Sequence, residues 1–325
     1  MRILVTGSAG HLGEALVRTL AEEGHDVVGL DILPSAHTDV VASVSDRPAV
    51  RGAVAGADAV LHPATLHKPH VASHSRQEFV DTNLTGTLVL LEEAVAAGVG
   101  AFVHTSTTSA FGRALTPSGD APAAWITEDV VPRPRNIYGA TKVAAVDLCE
   151  LVARDEGLPC VVLRTSRFFP EQDDDEQVRT GYADDNAKVN ELLYRRIDLS
   201  DAVSAHLAAL ERAPRLGFAR YVISATTPFT RDDLEELHRD APAVVERLFP
   251  EYAEIYERLG WRMFPRIDRV YVNARARAEL GWSPRYDFAH ALALLRAGGF
   301  PRSALATTVG AKGYHPVTTG PYTAR

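Results

Sequence analysis

The feature that most constrains this chain is a short apolar run followed by three evenly spaced glycines near its beginning. Residues 3–5 read Ile-Leu-Val, which suits a buried parallel strand, and Gly7, Gly10 and Gly13 follow. A helical apolar pattern then continues to Leu20. A strand, a glycine turn and a helix start are the context in which a dinucleotide pyrophosphate binds at a helix N-terminus. The spacing is G-x-x-G-x-x-G, and a glycine turn that binds no ligand is the alternative.

An acidic residue follows the second apolar strand, at the place where dinucleotide-binding folds recognise the adenosine ribose. The strand predicted over residues 26–30 ends in Asp31, roughly 20 residues after the glycines. A carboxylate there accepts hydrogen bonds from the ribose hydroxyls of NAD and repels the 2′-phosphate of NADP. No Arg or Lys lies between Asp31 and Asp46. We therefore predict NAD rather than NADP, with a surface turn acid as the alternative interpretation.

Strand and helix patterns alternate through the first half of the chain, which indicates a parallel sheet covered by helices on both faces. The predicted fold is α/β, a Rossmann-type doubly wound parallel sheet with a smaller, mostly helical C-terminal substrate region. The predicted strands cover residues 2–6, 26–30, 58–61, 101–105, 159–164 and 219–224. The predicted helices cover residues 11–23, 46–55, 76–97, 138–156 and 201–212, and residues 230–262 are helix-rich.

The composition changes after Arg164, and this change divides the chain. An acidic run over residues 171–176 is expected to be a solvated loop, because clustered like charges favour water. The last residues carry Thr, Gly and Pro without periodicity, which predicts a loosely packed extension. The predicted units are a dinucleotide-binding domain over 1–167, completed by about 200–227, a substrate-binding region over 168–199 and 228–298, and a C-terminal tail over 299–325.

The charge and composition of the chain argue against several classes of function. The net charge of −8 disfavours nucleic acid and an anionic membrane surface as partners. No apolar run reaches about 18 residues and the first core strand begins at once, so we expect neither a membrane span nor a signal peptide. The 12 histidines show no metal-ligand spacing, and Cys149 and Cys160 are expected to be core thiols. We therefore expect a cytoplasmic protein without a metal site.

A tyrosine and a lysine four residues apart carry a catalytic signal. Tyr138 and Lys142 project from one face of the helix predicted over residues 138–156. A free tyrosine has a pKa of about 10, too high for acid–base chemistry at neutral pH, and a neighbouring ammonium lowers that pKa. The pair is a weak signal by itself, because both residue types are common.

Several motifs in a fixed order resemble those of the extended short-chain dehydrogenase/reductase family, in its NAD-dependent epimerase/dehydratase group. The glycine turn resembles T-G-x-x-G-x-x-G, and residues 280–284 resemble the closing L-G-W-x-P. Between them, residues 58–64 resemble D-x-V-x-H-x-A, residues 83–87 resemble N-x-x-G-T, and residues 195–201 resemble R-x-x-x-V-x-D. The resemblance covers most of residues 1–285.

The resemblance implies a catalytic set of a hydroxyl, a tyrosine and a lysine. Residues 102–112 are similar to the family's strand and loop that carry the hydroxyl, which falls on Thr107, with Ser106 as the neighbouring candidate. Tyr138 and Lys142 match the family's catalytic pair. The residues implied to bind NAD are Gly7, Ala9, Gly10, His11, Leu12, Gly13, Asp31, Ser43, Val44, His62, Pro63, Ala64, Asn83, Thr105, Tyr138, Lys142 and Arg167.

The segment after Arg164 departs from the nucleotide-sugar members of this family. Only 36 residues, 165–200, separate Arg164 from Asp201, too few for the insert with which those members hold the nucleotide. This shortness resembles the uronate dehydrogenases, although Thr108-Ser109 stand where that branch has an Asn-His pair. The residues expected to bind substrate are Lys68, Thr107, Thr108, Ser109, Tyr138, Phe168, Phe169 and Arg195.

We therefore predict an NAD-dependent oxidoreductase that moves a hydride between a small, hydroxylated, sugar-like substrate and nicotinamide. An epimerase or dehydratase that oxidises its substrate transiently is the alternative, and a non-catalytic NAD-binding protein is a third hypothesis. The presence of Thr107, Tyr138 and Lys142 together argues against the third. The resemblance also implies a homodimer that pairs through the helices containing residues 76–97 and 138–156.

Overall fold

A computed structural model describes residues 1–119 and 121–312. Its strands are β1 (Arg2–Thr6), β2 (Asp26–Asp31), β3 (Val40–Val41), β4 (Ala59–His62), β5 (Ala101–Thr107), β6 (Ala124–Ile126), β7 (Cys160–Thr165), β8 (Phe218–Ile223) and β9 (Arg269–Tyr271). Seven of them form one parallel sheet in the order β3-β2-β1-β4-β5-β7-β8, and β6 pairs with β9 separately. The chain winds outward in both directions from β1, so the predicted doubly wound α/β fold is confirmed.

Helices cover both faces of the sheet and build the C-terminal region. They are α1 (His11–Glu22), α2 (Arg47–Val54), α3 (Arg76–Phe79), α4 (Gly86–Ala96), α5 (Ile137–Glu156), α6 (Glu176–Gly181), α7 (Asp184–Leu192), α8 (Leu199–Leu216), α9 (Leu234–Arg239), α10 (Ala241–Leu248), α11 (Tyr252–Leu259), α12 (Ala274–Leu280), α13 (Phe288–Arg296) and α14 (Ala304–Val309).

The apolar run that opens the chain is buried on both of its sides, which explains its lack of alternation. Ile3 and Val5 pack into a core with α1 and α8, whereas Leu4 packs with α2, α4 and α5 on the opposite face. A central parallel strand needs apolar side chains in both directions, because helices cover it above and below. A further apolar cluster joins α7, α9, α10, α11 and α13 to the β6–β9 pair.

The helix predicted over residues 76–97 is interrupted. The structure has α3, then a π-helix at Val80–Thr85, then α4. The wider turn of a π-helix redirects a side chain that an unbroken α-helix would present elsewhere. Here it directs the buried Asn83 toward the loop after β4, with which Asn83 makes three hydrogen bonds, and a fourth joins it to Thr141 on α5.

The prediction of a solvated loop at residues 171–176 is only partly correct, because Gln172, Asp175 and Glu176 are exposed but two of the acidic residues are buried. Glu171 and Asp173 are each only 8% exposed. The carboxylate of Asp173 accepts hydrogen bonds from Arg167 at 2.7 Å and from Arg195 at 3.1 Å. Asp173 is buried because cations outside the run pair with it, and the sequence pattern of the run alone does not contain those partners.

The loosely packed tail predicted from residue 299 is also wrong for the residues that the structure describes there. Ser303 is buried and its N–H donates to Asp198 Oδ2 at 3.0 Å, and α14 follows with Val309 in the core formed by α1 and α8. Ser303 caps α14 through its hydroxyl. Residues 313–325 of the predicted tail lie outside the described residues.

Two further expectations concern the cysteines and the membrane. Cys149 and Cys160 are buried free thiols, as predicted. Among the helices of residues 1–119 and 121–312, none has the length and apolar character that crossing a bilayer would require.

Candidate active site

A cleft of about 860 Å³ opens where the strands of the sheet end. The turns after β1, β2, β4, β5 and β7 all contribute to its lining. The carboxyl ends of parallel strands lie at one edge of a sheet, and ligands of such sheets bind there. The cleft therefore collects segments that are far apart in the sequence.

The glycine turn after β1 forms one wall of the cleft, and two of its positions accept only glycine. Gly7 has φ +64°, and a Cβ atom on it would lie 2.9 Å from the Cα of Ala64. A Cβ atom on Gly13 would lie 1.9 Å from the carbonyl oxygen of Gly7. The first N–H groups of α1 have no intrahelical acceptors, and its N-cap, Gly10, has no side chain to cap them. This wall fits a diphosphate, since backbone N–H groups and the helix dipole point into the cleft.

Asp31 stands at the carboxyl end of β2 and is tied to the glycine turn. Its Oδ2 accepts a hydrogen bond from the N–H of Ala9 at 3.0 Å, and its Oδ1 accepts one from the N–H of Leu33 at 2.9 Å. Asp31 lines the cleft together with Ser43 and Val44. The carboxylate is thus held at the edge where the residues fit a ribose.

Thr107 and Tyr138 both line the cleft, and Lys142 lies buried one helical turn after Tyr138. Asn136 caps α5 by accepting a hydrogen bond from the N–H of Gly139 at 3.0 Å, which fixes where the helix begins. Tyr138 follows in the first turn, and its phenol lies close to the hydroxyl of Thr107 at the end of β5. Lys142, one turn further, is 1% exposed and donates to the carbonyl of Thr105 at 2.7 Å.

Burial controls the ionisation of this pair. It raises the pKa of Tyr138 to about 12, and the nearby hydroxyl of Thr107 offsets only part of that rise. Burial also lowers the pKa of Lys142 to about 7. Our expectation that Lys142 lowers the pKa of Tyr138 is wrong for this arrangement, because burial dominates and the ammonium points at the Thr105 carbonyl. Tyr138 is therefore protonated at neutral pH.

Three of the predicted cofactor-binding residues lie beneath the cleft rather than in its lining. They are His62, Asn83 and Lys142. His62 is fully buried between the hydroxyls of Thr6 at 2.8 Å and Thr87 at 3.1 Å, and burial lowers its pKa to about 3. A neutral, fully bonded imidazole of this kind supports the turn above it.

Asn83 joins two walls of the site. Its Oδ1 accepts from the N–H of Leu66 at 2.8 Å, and its Nδ2 donates to the hydroxyl of Thr141 at 3.1 Å. Thr141 lies between Tyr138 and Lys142 on α5. Asn83 therefore fixes the loop after β4 relative to the catalytic helix.

The other predicted residues come together around the cleft. On the cofactor side, all of the remaining predicted residues line it. On the substrate side the lining contains every predicted residue, namely Lys68, Thr107, Thr108, Ser109, Tyr138, Phe168, Phe169 and Arg195.

The arginines of the substrate side are paired with carboxylates of this same chain. Arg167 contacts Asp173 at 2.7 Å and Asp174 at 3.5 Å, and Lys68 also pairs with Asp174. Arg195 contacts Asp173 at 3.1 Å and Glu191 at 2.6 Å. The positive charge predicted here is thus present and largely neutralised.

Several cleft residues were missed by the sequence analysis. Arg269 and Tyr271 on β9, and Lys312 near the C-terminus, all line the cleft. Among the described residues Arg269 has no carboxylate partner, and its buried Nε has no hydrogen-bond acceptor. No local sequence pattern marks these three residues. Two of them lie on β9, which has only three residues and reaches the site through its pairing with β6.

This chain is similar in sequence to several known proteins. Residues 3–223 match the NAD dependent epimerase/dehydratase family. The uncharacterized protein y4nG of Sinorhizobium fredii is 31% identical over 166 residues, which cover 50% of this chain and 39% of that protein's length. The low-salt glycan biosynthesis protein Agl12 of Haloferax volcanii is 28% identical over 89% of this chain and 95% of its own. A UDP-glucose 4-epimerase of Mycolicibacterium smegmatis is 28% identical over 90% and 96%.

Solved structures share the fold. A short-chain dehydrogenase/reductase superfamily protein from Agrobacterium tumefaciens with bound NAD has a TM-score of 0.65 at 24% identity, over 92% of this chain and 98% of that one. The UDP-glucose 4-epimerase of Thermotoga maritima with UDP-glucose has a TM-score of 0.62 at 23% identity, over 90% and 96%.

Proposed function

Since the chain belongs to the NAD dependent epimerase/dehydratase family, we propose that it is an NAD-dependent oxidoreductase acting on a secondary alcohol or ketone of a small sugar-like compound. The observation that carries this proposal is that Thr107 and Tyr138 lie close together in the lining of a cleft whose wall is the glycine turn. A hydroxyl and a phenol that converge on one point can hold one substrate oxygen between them.

The residues divide the chemistry among them. A nicotinamide bound in the cleft supplies hydride transfer to or from the substrate carbon. Tyr138 donates a proton to the substrate oxygen, or accepts one from it, and Thr107 orients that oxygen. The raised pKa makes Tyr138 a ready donor, whereas accepting a proton requires its pKa to fall. Lys142, one helical turn away, donates to the carbonyl of Thr105, so we assign to it the positioning of the end of β5 beside Tyr138.

NAD is the proposed cofactor, in preference to NADP. The support is Asp31, whose carboxylate is fixed at the ribose edge of the cleft by the N–H groups of Ala9 and Leu33. A fixed negative charge there repels a 2′-phosphate. The solved relative from Agrobacterium tumefaciens binds NAD, which agrees with this choice.

The proposed substrate is small, hydroxylated and able to carry a negative charge. Its site combines the hydroxyl side chains after β5 with Lys68, Arg167, Arg195 and Arg269. Asp173, Asp174 and Glu191 offset most of this charge. Arg269, which has no carboxylate partner among the described residues, leaves a positive charge that suits a carboxylate or phosphate. Free sugar acids, the substrates of the uronate dehydrogenases that the short segment resembles, are therefore the first compounds to test.

An epimerase or dehydratase that keeps its NAD and oxidises its substrate only transiently is the second candidate. It is favoured by relatives such as the UDP-glucose 4-epimerase of Mycolicibacterium smegmatis. A panel of free sugars, sugar acids and nucleotide sugars, followed by NADH absorbance, separates the two. Net NADH accumulation supports the dehydrogenase, and product formation without NADH accumulation supports the epimerase or dehydratase.

We also propose the domain division, a homodimer and a cytoplasmic location. The dinucleotide-binding domain comprises 1–167 and about 200–227, and the remaining segments up to 298 form the substrate region. A separate apolar cluster formed mainly by α7, α9, α10, α11 and α13 supports this division, although α12 packs with the sheet. Leu151, 42% exposed on α5, supports pairing through that helix, and light scattering would measure the mass of the particle. Two reduced thiols suit a cytoplasmic location.

A further inference from the structure

The C-terminal arm, which we define as residues 303–312, packs against α1, the first helix of the chain. Ser303 anchors the arm on Asp198, and α14 packs its Val309 into the core beside α1 and α8. The arm then reaches the N-terminal end of α1, where Lys312 lines the cleft next to the glycine turn. The arm thus joins the edge of the proposed dinucleotide site.

Lys312 contacts three side chains at that edge. Its ammonium pairs with the carboxylate of Glu14. Its backbone N–H donates to Glu171 Oε1 at 3.1 Å and lies 3.3 Å from His11 Nε2. His11 Nε2 and Glu171 Oε1 are themselves 2.9 Å apart. Three separate parts of the chain therefore meet at the first turn of α1, and His11, Glu14 and Glu171 are all buried.

Glu14 presents an electrostatic difficulty for a dinucleotide. It lies in the first turn of α1, beside the N–H groups that fit a diphosphate. Although burial raises the pKa of Glu14, hydrogen bonds from Lys312 and Arg18 hold it below its usual value, so the carboxylate is charged at neutral pH. A buried negative charge so near a diphosphate repels it unless a cation compensates. Arg18 and His37 also approach Glu14, at 2.8 Å and 3.6 Å. Glu14, Arg18 and His37 all lie outside the described cleft lining, whereas Lys312 contacts Glu14 and lines the cleft.

We propose that the C-terminal arm completes the dinucleotide site, with Lys312 as a cofactor-binding residue that neutralises Glu14 beside the phosphates. The inference rests on the proposed function, in which NAD binds at the glycine turn. Glu171 lies behind His11 and outside the described cleft lining, so it is a positioning residue that acts through the His11 side chain.

The test is the affinity for NAD of full-length variants, measured by calorimetry at low salt. Lys312→Met should weaken binding roughly three- to tenfold, the range for a charge at a helix N-terminus. Lys312→Arg keeps the charge and should bind NAD as the wild type does. The double variant Glu14→Gln/Lys312→Met removes both charges and should recover most of the lost affinity. Arg302→Met is the matched control, since Arg302 precedes the arm and pairs with Asp185 on α7.

The outcomes separate this inference from the function on which it rests. The inference is supported if Lys312→Met binds NAD more weakly and the double variant recovers the lost affinity. Arg302→Met should then bind NAD as tightly as the wild type does. Wild-type affinity in Lys312→Met overturns it, as does a loss that Glu14→Gln fails to recover. A wild-type protein without affinity for NAD would instead overturn the proposed cofactor site, and this inference with it. Thermal unfolding of each variant verifies that it is folded.

Discussion

Lys142 is a buried cation, and its burial makes the stability of the protein depend on pH. Its pKa is lowered to about 7 in the folded protein, whereas a lysine in an unfolded chain has a pKa of about 10.4. Between these pKa values the unfolded chain binds more protons than the folded protein does. The free energy of unfolding therefore rises as pH rises, and this gain in stability is lost as pH falls toward 7. Relative to Lys142→Met, the wild type should gain roughly 1 kcal/mol per pH unit above about pH 7. Urea unfolding at several pH values measures this gain.

The control for that prediction is the variant itself, which has the same volume but no titratable group at this position. The two proteins should differ most at the acidic end of the series. Parallel dependence of their unfolding free energies on pH would contradict the burial of a titrating lysine beside Tyr138.

Asp31 is the second residue whose role a single measurement can decide. Its fixed carboxylate should make NAD bind more tightly than NADP. The variant Asp31→Ala/Ile32→Arg removes the repulsion and adds a phosphate partner, so its preference should narrow or invert. Calorimetry with both dinucleotides measures the ratio. Tighter binding of NADP by the wild type would show that the end of β2 does not select the cofactor.

At the scale of elements, α7 depends on one buried carboxylate. Glu191 is 1% exposed and pairs with Arg195 at 2.6 Å and Arg196 at 2.8 Å. Although burial raises the pKa of Glu191, the two guanidinium groups hold it far below its usual range. Glu191→Gln leaves the buried Arg196 without its carboxylate partner and removes one of the two carboxylates that pair with Arg195. We expect the free energy of unfolding to fall by about 3–5 kcal/mol.

An exposed pair provides the matched control for Glu191. Glu235 pairs with Arg239 on α9 at 3.3 Å, and the two side chains are 69% and 67% exposed. Glu235→Gln should change the free energy of unfolding by less than about 1 kcal/mol. Equal effects of the two substitutions in urea unfolding would show that the ion pairs around Glu191 do not hold this region together.

The elements that the sequence predicted well are those with a strong local pattern. The strands from β1 to β8 in the main sheet, apart from the two-residue β3, lie within about two residues of their predicted bounds, as does α5, because apolar runs and helical spacing mark them directly. The π-helix around Asn83 and the burial of Asp173 were not predicted. Both depend on partners distant in sequence, Thr141 in one case and Arg195 in the other. Local periodicity contains no information about such partners.

At the scale of the whole molecule, the shortness of residues 165–200 limits the size of the substrate. Arg167 and Arg195 in this region already pair with Asp173, and two short helices fill the space after it. We therefore expect free UDP and UDP-glucose to bind weakly or not at all to NAD-loaded protein. A small hydroxylated anion should bind in their place. Calorimetry measures these affinities. Micromolar binding of UDP would contradict the small-substrate proposal and favour a nucleotide-sugar epimerase.

The assembly of the whole site was partly foreseeable. Gly7, Asp31 and Thr107 follow parallel strands, and such strand ends share one edge of the sheet, so their meeting was predictable. The contributions of Arg269 and Lys312 were not predictable. Each comes from the C-terminal part of the chain and reaches the cleft through packing between units, which no spacing in the sequence records.

The most direct test of the central claim compares the wild type with Tyr138→Phe. Both proteins are loaded with NAD, given the panel of small hydroxylated compounds, and followed by the absorbance of the reduced nicotinamide and by product formation. The variant should fold and bind NAD as the wild type does, while turnover of any compound that the wild type accepts falls roughly 10²- to 10⁴-fold. Turnover by Tyr138→Phe at the wild-type rate would remove Tyr138 from the reaction and contradict the account.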